Sequence, residues 1–91
     1  MGESIALMEV KSLVAAIEGL DAMLKAADVE FISTERRLGG RLVTVVIRGS
    51  ISAVTAALEA GIAAANRVGK VVASEVIARP HPEILKFFNV Q

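Results

Sequence analysis

The segment from Glu35 to Ser50, ERRLGGRLVTVVIRGS, places the strongest constraint on the fold of this chain. Residues 42–47 (LVTVVI) are nearly all β-branched and lie between glycines, which is the pattern of a strand buried on both faces. Gly39 and Gly40 precede that strand, and glycine adopts positive φ without steric cost. The loop is therefore either a tight hairpin turn or a site of close backbone approach. In a ring of subunits the same loop, pointed at the symmetry axis, would line a hole.

The chain is more apolar than one small core can accommodate. Of its 91 residues, 54% are hydrophobic, and the mean hydropathy is +0.59. A domain of this length hides only about 60–65% of its unfolded surface on folding. No run reaches the roughly 18–20 apolar residues that a spanning helix needs. The excess therefore favours an oligomer, and we expect a single domain over residues 1–91.

Charge and cysteine content exclude several classes of function. Ten basic and ten acidic residues balance, and three aromatic residues are too few for a nucleic-acid surface. The absence of cysteine excludes disulfides and thiolate metal sites. The N-terminus carries an acidic residue where a signal peptide is basic. We therefore expect a cytoplasmic protein that binds neither nucleic acid nor membrane and whose main partner is another copy of itself.

Hydrophobic periodicity predicts an α+β fold. The expected elements are strands at Ser4–Val10, Val29–Thr34, Leu42–Arg48 and Lys70–Ala78, an amphipathic helix over Leu13–Ala27, an alanine-rich helix over Ile51–Asn66, and a short C-terminal helical turn in which Ile84, Leu85, Phe87 and Phe88 make apolar contacts. Ser12 and Ser50 are candidate N-caps. The order βαββαβ is that of a ferredoxin-like variant, a four-stranded antiparallel sheet with two helices on one face and the other face uncovered.

The first helix is expected to bury a stripe of apolar residues at three- and four-residue spacing. Its predicted members are Leu13, Ala16, Ile17, Leu20, Leu24 and Ala27. Glu18, Asp21, Lys25 and Asp28 take the other side. In the second helix alanine leaves almost no large polar face, which predicts close packing on more than one side.

The chain offers no constellation of catalytic or metal-ligating groups. His81 is the only histidine, lies between Pro80 and Pro82, and has no cysteine or activated serine beside it. The carboxylates are dispersed instead of clustered at ligand spacing. Gly39-Gly40 precedes a strand, whereas a phosphate loop opens a helix. We therefore expect a protein that is not an enzyme and that needs no metal or cofactor.

Five basic residues have both a structural and a functional interpretation. Lys25 is the i+4 partner of Asp21 on a solvated helix face. Arg79 precedes a proline, and its guanidinium at that rigid corner suits a contact between subunits or particles. The other three, which flank the glycine loop, form either a solvated basic turn with Glu35 as partial counterion or a positive lining; they are Arg36, Arg37 and Arg41.

Four segments, in order, resemble single-domain, hexamer-forming shell proteins of bacterial microcompartments. They are IALMEVKSLVAAIEGLDAMLKAADV (5–29), LVTVVIRG (42–49), the alanine-rich helix that follows, and VVASEVIARPHPEI (71–84). The resemblance implies homohexamers that tile edge to edge with other shell proteins around encapsulated enzymes. It also implies a central pore for small polar metabolites. The implied pore residues are Leu38, Gly39, Gly40 and Arg41, flanked by Arg36 and Arg37.

The same resemblance implies that Lys25 and Arg79, with the adjacent His81, mediate contacts between hexamers. Members of the family commonly carry Gly-Ser-Gly at the pore after one basic residue, whereas this chain has Gly39-Gly40-Arg41 after two arginines. The family serves both carboxysomes and degradative compartments, and we lean to the degradative kind. One alternative on the same fold is a small oligomeric regulatory module that binds an anionic metabolite at the loop. Acylphosphatase-like catalysis would require an Arg and Asn near the N-terminus, and that region has neither.

Overall fold

The computed structural model describes residues 3–88, and every predicted element is present in it. The elements in chain order are β1 (Ser4–Val10), α1 (Leu13–Ala26), β2 (Glu30–Arg37), β3 (Leu42–Gly49), α2 (Ile51–Asn66), β4 (Val71–Ile77) and α3 (Pro82–Phe87). The largest difference from the prediction is in β2, which continues past Thr34 because its pairing with β3 extends to Arg37 and Leu42.

The four strands form one antiparallel sheet in the order β2-β3-β1-β4. β1 pairs with both β3 and β4, and β3 also pairs with β2. In each βαβ half the two strands are therefore parallel, and a strand of the other half lies between them. This is the split βαβ arrangement of ferredoxin-like folds. The predicted fold class is confirmed.

Serine hydroxyls begin both long helices, as predicted. Ser12 Oγ accepts a hydrogen bond from the backbone N–H of Ala15 at 3.0 Å, and Ser50 Oγ accepts one from Ala53 at 3.1 Å. Each such cap typically contributes about 1 kcal/mol to helix stability. Both helices therefore begin at the residues that the sequence predicts, Leu13 and Ile51.

The main core lies between the sheet and the helix layer, and small residues dominate the helix side. The buried residues are Ala15, Ala16, Gly19 and Met23 of α1, and Val54, Ala57, Leu58, Gly61, Ala64 and Ala65 of α2. They pack on β1 and β3 through Ala6, Met8, Val10, Val43, Val45 and Ile47. The predicted close packing of the alanine-rich helix is therefore confirmed where α2 faces α1 and the sheet, whereas Ala56 and Ala63 on its outer side are exposed.

The predicted apolar stripe of α1 is wrong for three of its members. Leu13, Ile17 and Leu24 are 36%, 60% and 44% exposed, whereas Gly19 and Met23 are buried. The reason is that α1 approaches α2 closely, and only the small residues fit at that contact. The larger apolar side chains are left on the flank of α1.

The sheet face opposite the helices is covered at one end, which corrects the prediction of an uncovered face. Ile5 and Val46 are fully buried there, and Phe88 packs against them together with Leu85 of α3. The open part of this face is a shallow depression whose lining includes Glu9 and Thr44.

The predicted C-terminal contacts are half correct. Leu85 and Phe88 pack on the sheet, but Ile84 and Phe87 of the same short helix are exposed. Phe87 contacts Phe88 edge to face, with ring centroids 5.1 Å apart. Across residues 3–88, the structure has no helix long and apolar enough to cross a membrane.

Candidate functional site

The turn between β2 and β3 consists of Leu38, Gly39, Gly40 and Arg41. The first three have φ of 54°, 66° and 88°, so both glycines take the left-handed backbone expected of them. Leu38 does so as well, at a cost of about 1–2 kcal/mol for a residue with a side chain. A Cβ built on Gly39 would have no neighbour within 4 Å. The turn is therefore an exposed projection of the sheet, and its two glycines carry no side chains.

Arg36 and Arg37 lie on opposite faces of the sheet. Arg36 pairs with Val43 and Arg37 with Leu42, and successive strand residues point to opposite sides. Arg36 lies on the helix side, where it lines a groove beside α1. Arg37 lies on the other side, with its guanidinium 3.8 Å from the Glu35 carboxylate. The two arginines that the sequence grouped together are thus separated by the sheet.

Arg41 folds back over its own turn. Its side-chain Nε donates a hydrogen bond to the carbonyl oxygen of Leu38 at 2.9 Å, and its backbone N–H donates to the same oxygen at 3.3 Å. Both hydrogen bonds stabilise the conformation of the turn. The predicted counterion Glu35 pairs with Arg37, and the three arginines do not converge on one point.

An apolar groove runs between α1 and the β2–β3 hairpin. Leu13, Ile17, Leu20 and Phe31 form much of its lining, and Arg36 lies at the end nearest the turn. Apolar surface of this kind on a small protein typically marks an interaction site. The sequence assigned these helix residues to the core because their spacing suits burial equally well.

The groove continues into the glycine turn. A Cβ built on Gly40 would lie 4.0 Å from the Cβ of Leu13, the first residue of α1. The turn and the start of the helix are therefore neighbours. Any molecule seated in the groove comes close to the turn.

Lys25 and Arg79 both lie at the end of the molecule away from this turn. Asp28 lies just after α1 and close to Gly49, which is at the end of β3 farthest from the turn. A Cβ built on Gly49 would lie 3.1 Å from the carbonyl oxygen of Asp28. Arg79 follows β4, whose last residue Ile77 pairs with Ile5 at that same end. About 18 Å of helix separates Lys25 from the start of α1. The resemblance implied that Lys25 and Arg79 both contact neighbouring hexamers, but the sequence did not predict that they lie at the same end of the molecule.

Lys25 forms the helix-face ion pair that its spacing predicts. Its Nζ lies 2.8 Å from the Asp21 carboxylate, and the two side chains are 77% and 54% exposed. The hydrogen bond that Lys25 Nζ donates to the Asp21 carboxylate, and then the negative charge of Asp21, raise the pKa of Lys25 above the ordinary lysine value. Lys25 therefore presents a charged ammonium at the surface.

Arg79 is exposed and has φ of 49°, the left-handed region, immediately before a proline. His81 begins α3, and its Nδ1 accepts a hydrogen bond from the backbone N–H of Glu83 at 3.1 Å. The imidazole is therefore used as a helix cap. In the part of the chain that the structure describes, no group of three or more histidine or acidic side chains is arranged to hold a metal.

Known proteins similar to this chain are shell proteins. The BMC domain family matches residues 4–80. The chain is 49% identical over 84 residues to the bacterial microcompartment shell protein PduA of Citrobacter freundii, which covers 92% of this chain and 89% of the relative. It is 42% identical over 88 residues to EutM of Escherichia coli, covering 97% and 90%. It is 49% identical over 85 residues to the carboxysome shell protein CsoS1 of Prochlorococcus marinus, covering 92% and 82%.

A solved microcompartment protein from Desulfitobacterium hafniense has the same fold. The TM-score is 0.83 at 34% sequence identity over 97% of this chain, which spans about half (47%) of that solved chain. The fold and these relatives together define a structural shell protein. The chain belongs to the BMC domain family, and the resemblance carried by its four sequence segments is confirmed.

Proposed function

We propose that this protein is a structural tile of a microcompartment shell. It forms a closed homohexamer whose central pore passes small polar metabolites. The hexamers tile with other shell proteins around encapsulated enzymes in the bacterial cytoplasm, and the tile itself catalyses nothing. The apolar groove that ends at the glycine turn is the observation that carries this proposal.

The groove favours a ring because one copy cannot cover it. Leu13, Ile17 and Phe31 are substantially exposed in the single chain, and full burial of such a side chain contributes about 1.5–3 kcal/mol. If a different surface of a second copy fills the groove, the second copy still has an open groove of its own. Only a closed ring covers all of them, because head-to-tail contacts that do not close leave an open end.

The glycine turn is suited to the axis of such a ring. It adjoins the groove at Leu13, so the contact that fills the groove brings neighbouring turns together. Gly39 and Gly40 carry no side chain, which leaves space for a channel between the copies. Leu38 and Arg41 complete the lining of the proposed pore.

The outer edge of the tile is formed by the end of the molecule that lies opposite the glycine turn. Lys25 and Arg79 both lie there and are exposed, with His81 beside Arg79. A side chain at that end is free to contact the next hexamer without disturbing the ring. This division of the molecule into an inner and an outer end supports the pore and edge assignments together.

The regulatory alternative has less support. It requires the arginines to converge on one anionic ligand, but Arg36 and Arg37 lie on opposite faces and Arg41 is bonded to its own turn. The basic residues of the hairpin therefore do not form a compact anion pocket within one chain.

Oligomeric mass tests the proposal. Native mass spectrometry of the purified protein should give six copies. Ile17→Glu places a charge in the groove and should release folded monomers, as circular dichroism would verify. Ile84→Glu, which charges an exposed apolar residue of α3 outside the groove, is the matched control and should remain hexameric. A wild-type monomer or an Ile17→Glu hexamer would contradict the proposed ring.

A further inference from the structure

We propose that Leu38 forms an apolar collar around the proposed pore, which favours small uncharged metabolites over strongly hydrated ions. The collar is the ring of six Leu38 side chains that a hexamer would place around its axis. This inference rests on the proposed hexamer with the glycine turn at its axis. It deepens that proposal by naming the residue that selects the solutes and the property, hydration, by which they are selected.

Leu38 is strained at a position where glycine would not be. Its φ of 54° is in the left-handed region, which disfavours a residue with a side chain. The next two residues are glycines with φ of the same sign, so the turn conformation itself requires no side chain at position 38. Strain that the local geometry does not require points to a functional role of the side chain.

The side chain of Leu38 is open to solvent. It is 65% exposed, which makes Leu38 the most exposed leucine of the described residues. Leu38 does not line the apolar groove that a neighbouring copy would fill. A Cβ built on Gly39, the next residue of the turn, would have no neighbour within 4 Å. The groove contact therefore leaves this leucine at the rim of the opening.

Arg41 holds the backbone of Leu38 in place. The carbonyl oxygen of Leu38 accepts two hydrogen bonds from Arg41, one from Nε at 2.9 Å and one from the backbone N–H at 3.3 Å. These bonds fix the orientation of the peptide group that follows Leu38. The side chain therefore projects from a defined backbone, and six copies would project in the same way around the axis.

A ring of leucines selects solutes by their hydration. Apolar constrictions exclude water, and a charged solute that passes one must give up part of its hydration shell. An uncharged organic molecule loses fewer and weaker hydrogen bonds to water, and its apolar part contacts the leucines favourably. This selection does not depend on the sign of a charge. It is therefore separable from any preference for anions.

Permeability ratios of ions with equal charge test the collar. The probes are thiocyanate and fluoride, which are both monovalent anions, although only fluoride holds its water strongly. Bi-ionic reversal potentials across a planar bilayer that contains the hexamer give the ratio of their permeabilities. In the wild type, thiocyanate should pass several-fold more readily than fluoride, beyond the ratio of their diffusion rates in water.

Two variants isolate the cause. Leu38→Asn keeps nearly the same size and shape but makes the collar polar, and asparagine suits the left-handed backbone better, so the fold should be at least as stable. Its permeability ratio should fall to the ratio of diffusion rates in water. Ile84→Asn makes the same kind of change at an exposed apolar residue of α3 and is the matched control. It should keep the wild-type ratio.

Native mass spectrometry of each sample separates this inference from the proposed function. The collar would be overturned by a wild-type hexamer that does not prefer thiocyanate, by a preference that Leu38→Asn keeps or that Ile84→Asn also loses, or by a lack of conductance in both the wild type and Leu38→Asn. Loss of the hexamer in Leu38→Asn would also overturn it, because Leu38 would then belong to the subunit contact. A wild-type monomer would overturn the proposed function together with the collar.

Discussion

Gly19 of α1 and Gly61 of α2 face each other where the two helices cross. A Cβ built on Gly19 would lie 3.0 Å from the carbonyl oxygen of Gly61, and a Cβ on Gly61 would lie 3.2 Å from that of Gly19. Backbone therefore meets backbone, and Met8 and Met23 fill the space on either side. This contact determines which face of α1 is buried, and so which apolar residues remain for assembly.

Gly61→Ala is expected to destabilise the fold. The added methyl would lie 2.6 Å from Met23 Cγ and 2.5 Å from its Cε, and Met23 is almost completely buried. Overpacking of this kind costs about 1–3 kcal/mol, and the better helix propensity of alanine offsets about 1 kcal/mol of it. Urea unfolding should therefore show a lower free energy of unfolding.

A double-mutant cycle provides the control. Met23→Ala opens space for the new methyl, so Gly61→Ala should cost less in that background than in the wild type. Equal costs in both backgrounds would show that Met23 does not limit the approach of the helices.

The sequence was sufficient to predict the elements but not the rotation of α1. One apolar stripe contains Leu13, Ile17 and Leu24, and a second contains Gly19 and Met23. Either stripe suits a helix that packs on a sheet. The choice depends on Gly61, more than 40 residues away in sequence, because two facing glycines permit an approach that larger residues prevent. Local periodicity contains no information about that partner.

The separation of the two arginines was missed for a different reason. The segment Glu35–Arg37 is charged and lacks the β-branched residues typical of a strand, so β2 was predicted to end at Thr34. In the structure, pairing with β3 extends the strand to Arg37. Once the strand includes both arginines, alternation places them on opposite faces. The hairpin partner, and not local propensity, sets the end of this strand.

Substitutions of Arg79 should abolish the assembly of sheets without lowering the stability of the fold. Its φ of 49° disfavours any residue with a Cβ. Arg79→Ala keeps that strain and should leave the melting temperature nearly unchanged, whereas Arg79→Gly relieves it and should raise stability by up to about 1 kcal/mol. Both variants remove the guanidinium. Both should therefore remain hexameric yet fail to form sheets under the electron microscope. Sheets formed by either variant would remove Arg79 from the edge contact.

Lys25→Ala should abolish sheets without breaking the hexamer. The side chain is mostly exposed, and solvent screens its ion pair with Asp21, so the loss of that pair should change stability little. Asp21→Ala is the matched control, because it breaks the same ion pair and keeps the ammonium. It should still form sheets. If both variants lose sheets equally, the ion pair and not the Lys25 charge is needed; if Lys25→Ala dissociates the hexamer, the edge assignment is wrong.

The proposed pore should prefer small anions to cations, and Arg41 allows its charge to be separated from its structural role. Its Nε donates to the Leu38 carbonyl oxygen and clasps the turn. Arg41→Lys keeps the charge but lacks this Nε donor, and Arg41→Gln loses both the charge and that donor. Loss of the bond should lower stability by about 1 kcal/mol in either variant. Reversal potentials across a planar bilayer should show anion preference in the wild type and in Arg41→Lys, and weaker preference in Arg41→Gln. If Arg41→Lys and Arg41→Gln weaken the preference equally, turn geometry and not charge sets it, and a cation preference in the wild type would contradict the prediction outright.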